Sequence, residues 1–211
     1  MRAVLVSNPT SYRGPYPVEH LRPTLEAAGW TLDVVERRPG VDVHDLLAPI
    51  LAAGECDVVM AAGGDGTARD VASEVAGTGV RLAVLAGGST NVVARELGMP
   101  QAPAAAAAAL LAATARPMDL GRLTLADGRV ERFMLAAGLG LDAHVLDATD
   151  DAWKRRVGPF AIAAAAVAVA PRLRPFEARI VVDDRPLYAG PVWQVVLPNT
   201  RRWGGVLSMA P

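Results

Sequence analysis

The sequence predicts an α/β fold: a doubly wound parallel sheet over residues 1–117, then an antiparallel, β-rich part over residues 118–211. Three observations predict it. Short β-rich runs at 3–7, 31–36, 57–62 and 81–86 alternate with segments of helical spacing at 18–28, 43–53, 67–76 and 91–97. Apolar strands separated by helices are what a parallel sheet covered on both faces requires. Glycine-rich turns follow the third and fourth strands. The alternation stops at Pro117, where paired β runs with hairpin turn signals take over.

Each element has a local reason. Residues 3–7 (AVLVS) are β-rich and end at Asn8-Pro9. Segment 18–28 places Val18, Leu21, Leu25 and Ala28 on one helical face and stops at Gly29. Strand 31–36 leads to helix 43–53, whose Leu46, Leu47, Ile50 and Leu51 share a face before Gly54. Strand 57–62 runs into Gly63-Gly64-Asp65-Gly66-Thr67 and a helix with Val71, Ala72 and Val75 inward. Strand 81–86 runs into Gly87-Gly88-Ser89-Thr90-Asn91 and another helix. The alanine-rich segment 102–115 is a helix, because Ala is the best helix former. This first part is Rossmann-like. Beyond Pro117, two β runs join through Ala126-Asp127-Gly128-Arg129, two more flank Asp183-Asp184, and one or two helices fall within 142–170. No closing element follows the last β run, so the second domain is expected to be C-terminally incomplete.

Composition excludes several classes. Apolar residues make up 52% and charged residues 20%, which supports a packed core rather than disorder. The net charge of -1 supplies no basic field, so no nucleic-acid partner is expected. The single cysteine, Cys56, rules out an internal disulfide and suits a reducing compartment; a lone cysteine before an apolar run is packing. The N-terminus, MRAVLVSNP, has no apolar stretch long enough for a signal peptide. The longest apolar run, 160–170, falls short of the roughly 20 residues a bilayer span needs and reads as a core helix.

The chemistry is concentrated at strand ends. In an open parallel sheet, ligands sit in the crevice outside the carboxyl ends of the strands. Asn8-Pro9-Thr10-Ser11 and the two glycine loops all belong there. Glycines allow close backbone approach, helix N-termini offer free N–H groups, and Thr67, Ser89 and Thr90 add hydroxyls: together, a phosphate cradle. The loops match neither a Walker A motif, whose Lys is missing, nor the G-x-G-x-x-G spacing. A Gly-Gly pair after a strand is also compatible with a plain tight turn. Asp65 has three readings: a ligand in a Mg²⁺–phosphate network, an acceptor for a substrate hydroxyl, or the N-cap of helix 67–76.

The block GGDGTARDV at 63–71, followed by LAVLAGGSTNVVARELGMP at 82–100, resembles the diacylglycerol kinase catalytic family, lipid kinases that include sphingosine and ceramide kinases. G-G-D-G-T alone is shared with NAD kinases and phosphofructokinases. The second block, through Gly88, Ser89, Asn91, Ala94, Arg95, Leu97, Gly98 and Pro100, is specific to the lipid kinases. Further matches are NPTS (8–11), MDLG (118–121), GLGLDAHV (138–145) and NTRRWGGVLSMAP (199–211). The resemblance implies a nucleotide domain followed by a β-sandwich lipid domain, and ATP-dependent phosphorylation of a lipid hydroxyl, diacylglycerol or a relative of it. It places ATP at Asn8, Pro9, Thr10, Ser11, Gly63, Gly64, Asp65, Gly66, Thr67, Asp70, Gly88, Ser89, Thr90 and Asn91. It assigns Mg²⁺ and catalysis to Asp65 and Asp119. The implied setting is the cytoplasm, peripheral at the inner membrane surface, with a lipid substrate and a homodimer as partners.

The chain departs from the family in places. The glycine of the usual N-P-x-S-G is Tyr12, the threonine near the end of strand two is replaced by Arg37-Arg38-Pro39, and Val92 stands where an acid often follows the motif Asn. The family's acidic D-D-G-x-L-D segment and the general base beyond it have no counterpart before Pro211, so the rival reading is a truncated, non-catalytic nucleotide-binding protein; another is a kinase of a soluble substrate such as NAD. Asp142 and His144 are titratable but are not assigned as the base. Lys154-Arg155-Arg156, Arg172, Arg174, Arg201 and Arg202 are a solvated face or a headgroup contact.

Overall fold

The computed structural model describes residues 1–148, 160–200, 202–203 and 207–208. Its framework is a parallel sheet of four strands, β1 (Arg2–Ser7), β2 (Thr31–Glu36), β3 (Val58–Gly63) and β4 (Arg81–Ala86), in the order β2-β1-β3-β4. Ala3 lies opposite Leu32 on one side and Val58 on the other, and Met60 lies opposite Ala83. Side chains alternate between the two faces of a sheet, and here both faces are apolar. Val4, Val6, Val59, Ala61 and Val84 pack under α2 (Val43–Ala52), α3 (Asp65–Val75) and α4 (Val92–Glu96), against Leu47, Val71 and Val93. Ala3, Leu5, Val58, Met60 and Leu85 pack under α1 (Arg22–Ala27) and α5 (Pro103–Ala112), against Leu25, Ala106 and Leu110. Each fully buried Leu or Val contributes about 1.5–3 kcal/mol. Central β3 is apolar and buried throughout because neither of its faces meets water, whereas the edge strand β2 exposes Thr31, Asp33, Val34 and Glu36.

Two helix starts differ from the sequence expectation. Residues 18–28 divide into a single 3-10 turn (Val18–His20) and α1, because Pro23 in the first turn needs no N–H partner and marks where the helix begins. Helix α3 begins at Asp65 rather than Thr67, with extended Gly64 as its N-cap. The N-cap reading of Asp65 for this helix is thereby corrected.

Two compact units are present: Met1–Leu135 with Asn199–Pro211, and Ala136–Pro198. The first also carries the hairpin β5 (Gly121–Thr124)–β6 (Val130–Phe133), which turns through Gly128 at φ 85°, and the short pair β11 (Arg202–Trp203) and β12 (Leu207–Ser208). The second pairs β7 (Ala136–Gly140) antiparallel with β10 (Gln194–Pro198). It also holds α6 (Leu141–Asp147), α7 (Phe160–Val169) and the hairpin β8 (Phe176–Val182)–β9 (Arg185–Val192). That hairpin turns at Asp183 and Asp184, both at positive φ, as a two-residue hairpin turn demands. In α7, Ala165 is buried and Val167 exposed. Among the described residues, no helix is long and apolar enough to cross a membrane. Lys154-Arg155-Arg156 and Arg201 lie outside the described residues, as do the side chains of Asp142, Arg172 and Arg202.

Candidate functional site

The strand order decides where a ligand fits. From β1 the chain crosses to β2 on one side and, later, to β3 on the other, so the direction of winding reverses between β1 and β3. That switch point opens the crevice at the carboxyl ends of the strands. Three loops meet there: Asn8–Gly14 after β1, Gly63–Thr67 after β3 and Gly87–Asn91 after β4.

The loops are bonded to one another. The Asn8 side-chain N–H donates to the Thr67 hydroxyl at 3.1 Å, while Thr10 donates to the Asn8 side-chain oxygen through N at 3.1 Å and Oγ1 at 2.9 Å. The Ser11 hydroxyl donates to the carbonyl of Gly87 at 3.0 Å, and the Arg13 backbone N–H to the same oxygen at 3.2 Å. Gly87 N–H donates to Gly63 O at 2.9 Å. Thr67 is buried, so its hydroxyl serves this internal network.

Glycine is required here by backbone packing. A Cβ on Gly88 would stand 2.5 Å from the Gly64 Cα, and one on Gly87 2.9 Å from the Gly63 Cα. The loops after β3 and β4 touch main chain to main chain. Gly66 is different: a Cβ there would meet nothing within 4 Å, and the residue is exposed. Beside it, α3 opens without any side chain capping its first N–H groups. A helix N-terminus of this kind attracts anions.

Asp65 stands at that open helix start. Its carboxylate accepts from the Val93 N–H at 2.9 Å and from the Thr90 hydroxyl at 3.2 Å. Val93 is in the first turn of α4, so Asp65 caps the neighbouring helix. This supplies the compensation that a carboxylate beside an anion site needs. Asn91 cannot cap α4 itself, because it holds the left-handed conformation at φ 49° and its buried amide is spent elsewhere. Its oxygen accepts from Gly88 N at 2.7 Å, and its NH₂ donates to Gly88 O at 2.9 Å and to Gln101 Oε1 at 3.2 Å.

Asp70, on the next turn of α3, is gripped by Arg37 at 2.8 Å and Arg69 at 2.6 Å. Arg37 thus ties the end of β2 to α3. Asp119 is exposed, and among the described residues its carboxylate has no hydrogen bond or ion pair. Among the described residues no three His, Cys, Asp or Glu side chains converge as a metal site. A Mg²⁺ held by one or two carboxylates plus phosphate oxygens needs no such cage, so the donor set fits a cation that arrives with a nucleotide. Burial pushes the Tyr16 phenol up to about 12 and raises the Cys56 thiol, which keeps both neutral and out of acid–base work. His144 is exposed on α6. Sequence reasoning overlooked Gln101 and the pairing of Arg37, whose partners lie 10 and 33 residues away; no local pattern marks either.

The model of the diacylglycerol kinase catalytic domain matches residues 2–123. A diacylglycerol kinase of Mycobacterium tuberculosis (strain H37Rv) is 35% identical over 185 residues, covering 85% of this chain and 59% of that protein. A diacylglycerol kinase of Bacillus subtilis is 31% identical over 216 residues, covering 100% of this chain and 69% of that protein. The chain therefore spans 59% of the length of the mycobacterial relative. A crystal structure of a diacylglycerol kinase from Bacillus anthracis matches with a TM-score of 0.72 at 24% identity, covering 98% of this chain and 67% of that one, and shows the shared fold. On the family match and these relatives, the chain belongs to the diacylglycerol kinase catalytic domain family.

Proposed function

We propose that this chain provides the nucleotide site of an ATP-dependent lipid kinase that phosphorylates a lipid hydroxyl, with diacylglycerol as the first acceptor to test. The observation that carries the reading is the uncapped N-terminus of α3, set at the switch point and walled by the two glycine loops. In this reading residues 1–117 serve the nucleotide and 118–211 the lipid, at a membrane surface.

Phosphoryl transfer asks the protein chiefly for positioning and charge stabilisation. The N–H groups of Gly66 and Thr67 would orient phosphate oxygens, and exposed Gly66 leaves room for them. The Asn8–Thr67 and Ser11–Gly87 bonds hold the walls still, so little reorganisation accompanies binding. Asp65, Asp119 and phosphate oxygens would hold Mg²⁺, which when bound neutralises charge on the phosphates. Asp65 keeps spare lone pairs after its two internal bonds. No residue is assigned as the base that takes the acceptor's proton.

The test combines calorimetric ATP binding with transfer of labelled phosphate to diacylglycerol, sphingosine and NAD in the presence of Mg²⁺. Label on diacylglycerol or sphingosine supports the lipid-kinase reading. Label on NAD alone overturns it in favour of a soluble acceptor, and ATP binding without any transfer favours a non-catalytic nucleotide-binding protein.

A further inference from the structure

Asn199 opens the NTRRWGG stretch, which the nucleotide site leaves without a role. Its side-chain NH₂ donates to two carbonyls from separate segments, Asp119 O at 2.8 Å and Met134 O at 2.9 Å. Its backbone N–H donates to Leu135 O at 2.7 Å. One amide thus ties together the MDLG segment before β5, the strand end after β6 and the chain at 199. Met134 is buried, and Leu120 and Leu135 pack against the side of the core that carries α3 and α4, so the knot is anchored there. Asp119 itself is exposed, with no described partner for its carboxylate. The described contact that holds this residue is the one its backbone carbonyl accepts from Asn199.

We propose that Asn199 is a positioning residue for Asp119, holding the MDLG backbone so that the carboxylate is presented at one place with its charge intact. A primary amide suits the task. It supplies two N–H donors for two carbonyls and, being neutral, leaves the nearby carboxylate unneutralised, as a lysine or arginine would not. The inference rests on the reading that Asp119 serves a Mg²⁺-bound nucleotide.

The experiment measures ATP affinity by calorimetry with Mg²⁺ and with EDTA, for the full chain and for Asp119→Asn, Asn199→Ala, Asn199→Asp and the Asp119→Asn/Asn199→Ala pair. Asn199→Asp is nearly isosteric but turns an acceptor toward both carbonyls. Loss of a residue that orients a metal-binding group costs about 10-fold or more in metal-dependent affinity. The Asn199 variants should lose about that much with Mg²⁺ and nothing with EDTA, and the double variant should be no worse than Asp119→Asn. If Asp119→Asn shows the loss and Asn199→Ala does not, the inference is overturned. If the unaltered chain binds no ATP, or Asp119→Asn binds Mg²⁺-ATP normally, it is the reading of Asp119 that fails. Should Asn199→Asp not fold, Asn199→Ser, which keeps one donor, should give an intermediate loss; wild-type behaviour in that variant overturns the inference.

Discussion

The two glycine loops read almost alike, Gly-Gly-Asp-Gly-Thr after β3 and Gly-Gly-Ser-Thr-Asn after β4, yet they do opposite things. The first passes through extended Gly64 directly into α3 and leaves that helix start open. The second turns through left-handed Asn91, and the start of α4 is closed by Asp65 from the first loop. On the proposed reading the first loop would receive an anion, while the second buttresses it. Similar residues after a strand do not imply similar roles; what differs is which helix N-terminus a carboxylate reaches.

The sharpest way to break this contrast is an added methyl group. Gly88→Ala forces a Cβ to within 2.5 Å of the Gly64 main chain and should destabilise the fold by about 3 kcal/mol in urea unfolding. Gly66→Ala has open space, so stability should move by no more than about 1 kcal/mol while ATP affinity falls. Equal stabilities for the two variants would break the claim that the loops meet backbone to backbone.

Next in size is Asp65→Ala, which strips the cap from α4 and leaves the Val93 N–H unmet. We expect a loss of about 1–2 kcal/mol, with Asp65→Asn retaining most of the stability because its oxygen can still accept from Val93. An Asp65→Ala protein as stable as the parent would mean that the second loop closes without help from the first.

Smaller still is Asp70→Asn. The Arg37 pair is partly exposed, so the expected cost is under about 1 kcal/mol and should shrink as salt is added. The smallest effect belongs to His44 on α2, which meets Glu74 of α3 at 2.7 Å. The Glu74 carboxylate raises the His44 pKa above its ordinary 6.5. This stabilisation is complete below about pH 6.5 and fades as pH rises through the raised value. The melting difference between the parent and His44→Gln should be largest near pH 6 and vanish in alkaline buffer; a difference that does not change with pH would exclude the ion pair.

The sheet and the exposed hairpin set out how far sequence reaches. β1, β3, β4 and β8 all carry β-rich residues, and all four segments were legible as strands. Their burial was not, since β3 is buried throughout while Val181 and Val182 at the end of β8 are about half exposed. Burial depends on which helices cover a strand, and β8 belongs to a separate two-stranded hairpin.

By itself, the sequence determined the alternation of strands and helices, the positions of the glycine loops and the blocks that mark the family. These signals are local: periodicity, glycine at a turn, a cap at a helix end. Only the tertiary structure decided the order β2-β1-β3-β4 and with it the switch point. It also decided that Asp65 closes α4 rather than its own helix, across 28 residues of chain, and that Asn199 holds Asp119 across 80. Such pairings depend on how far apart segments lie in space, and the chain path sets that distance only once the sheet has formed.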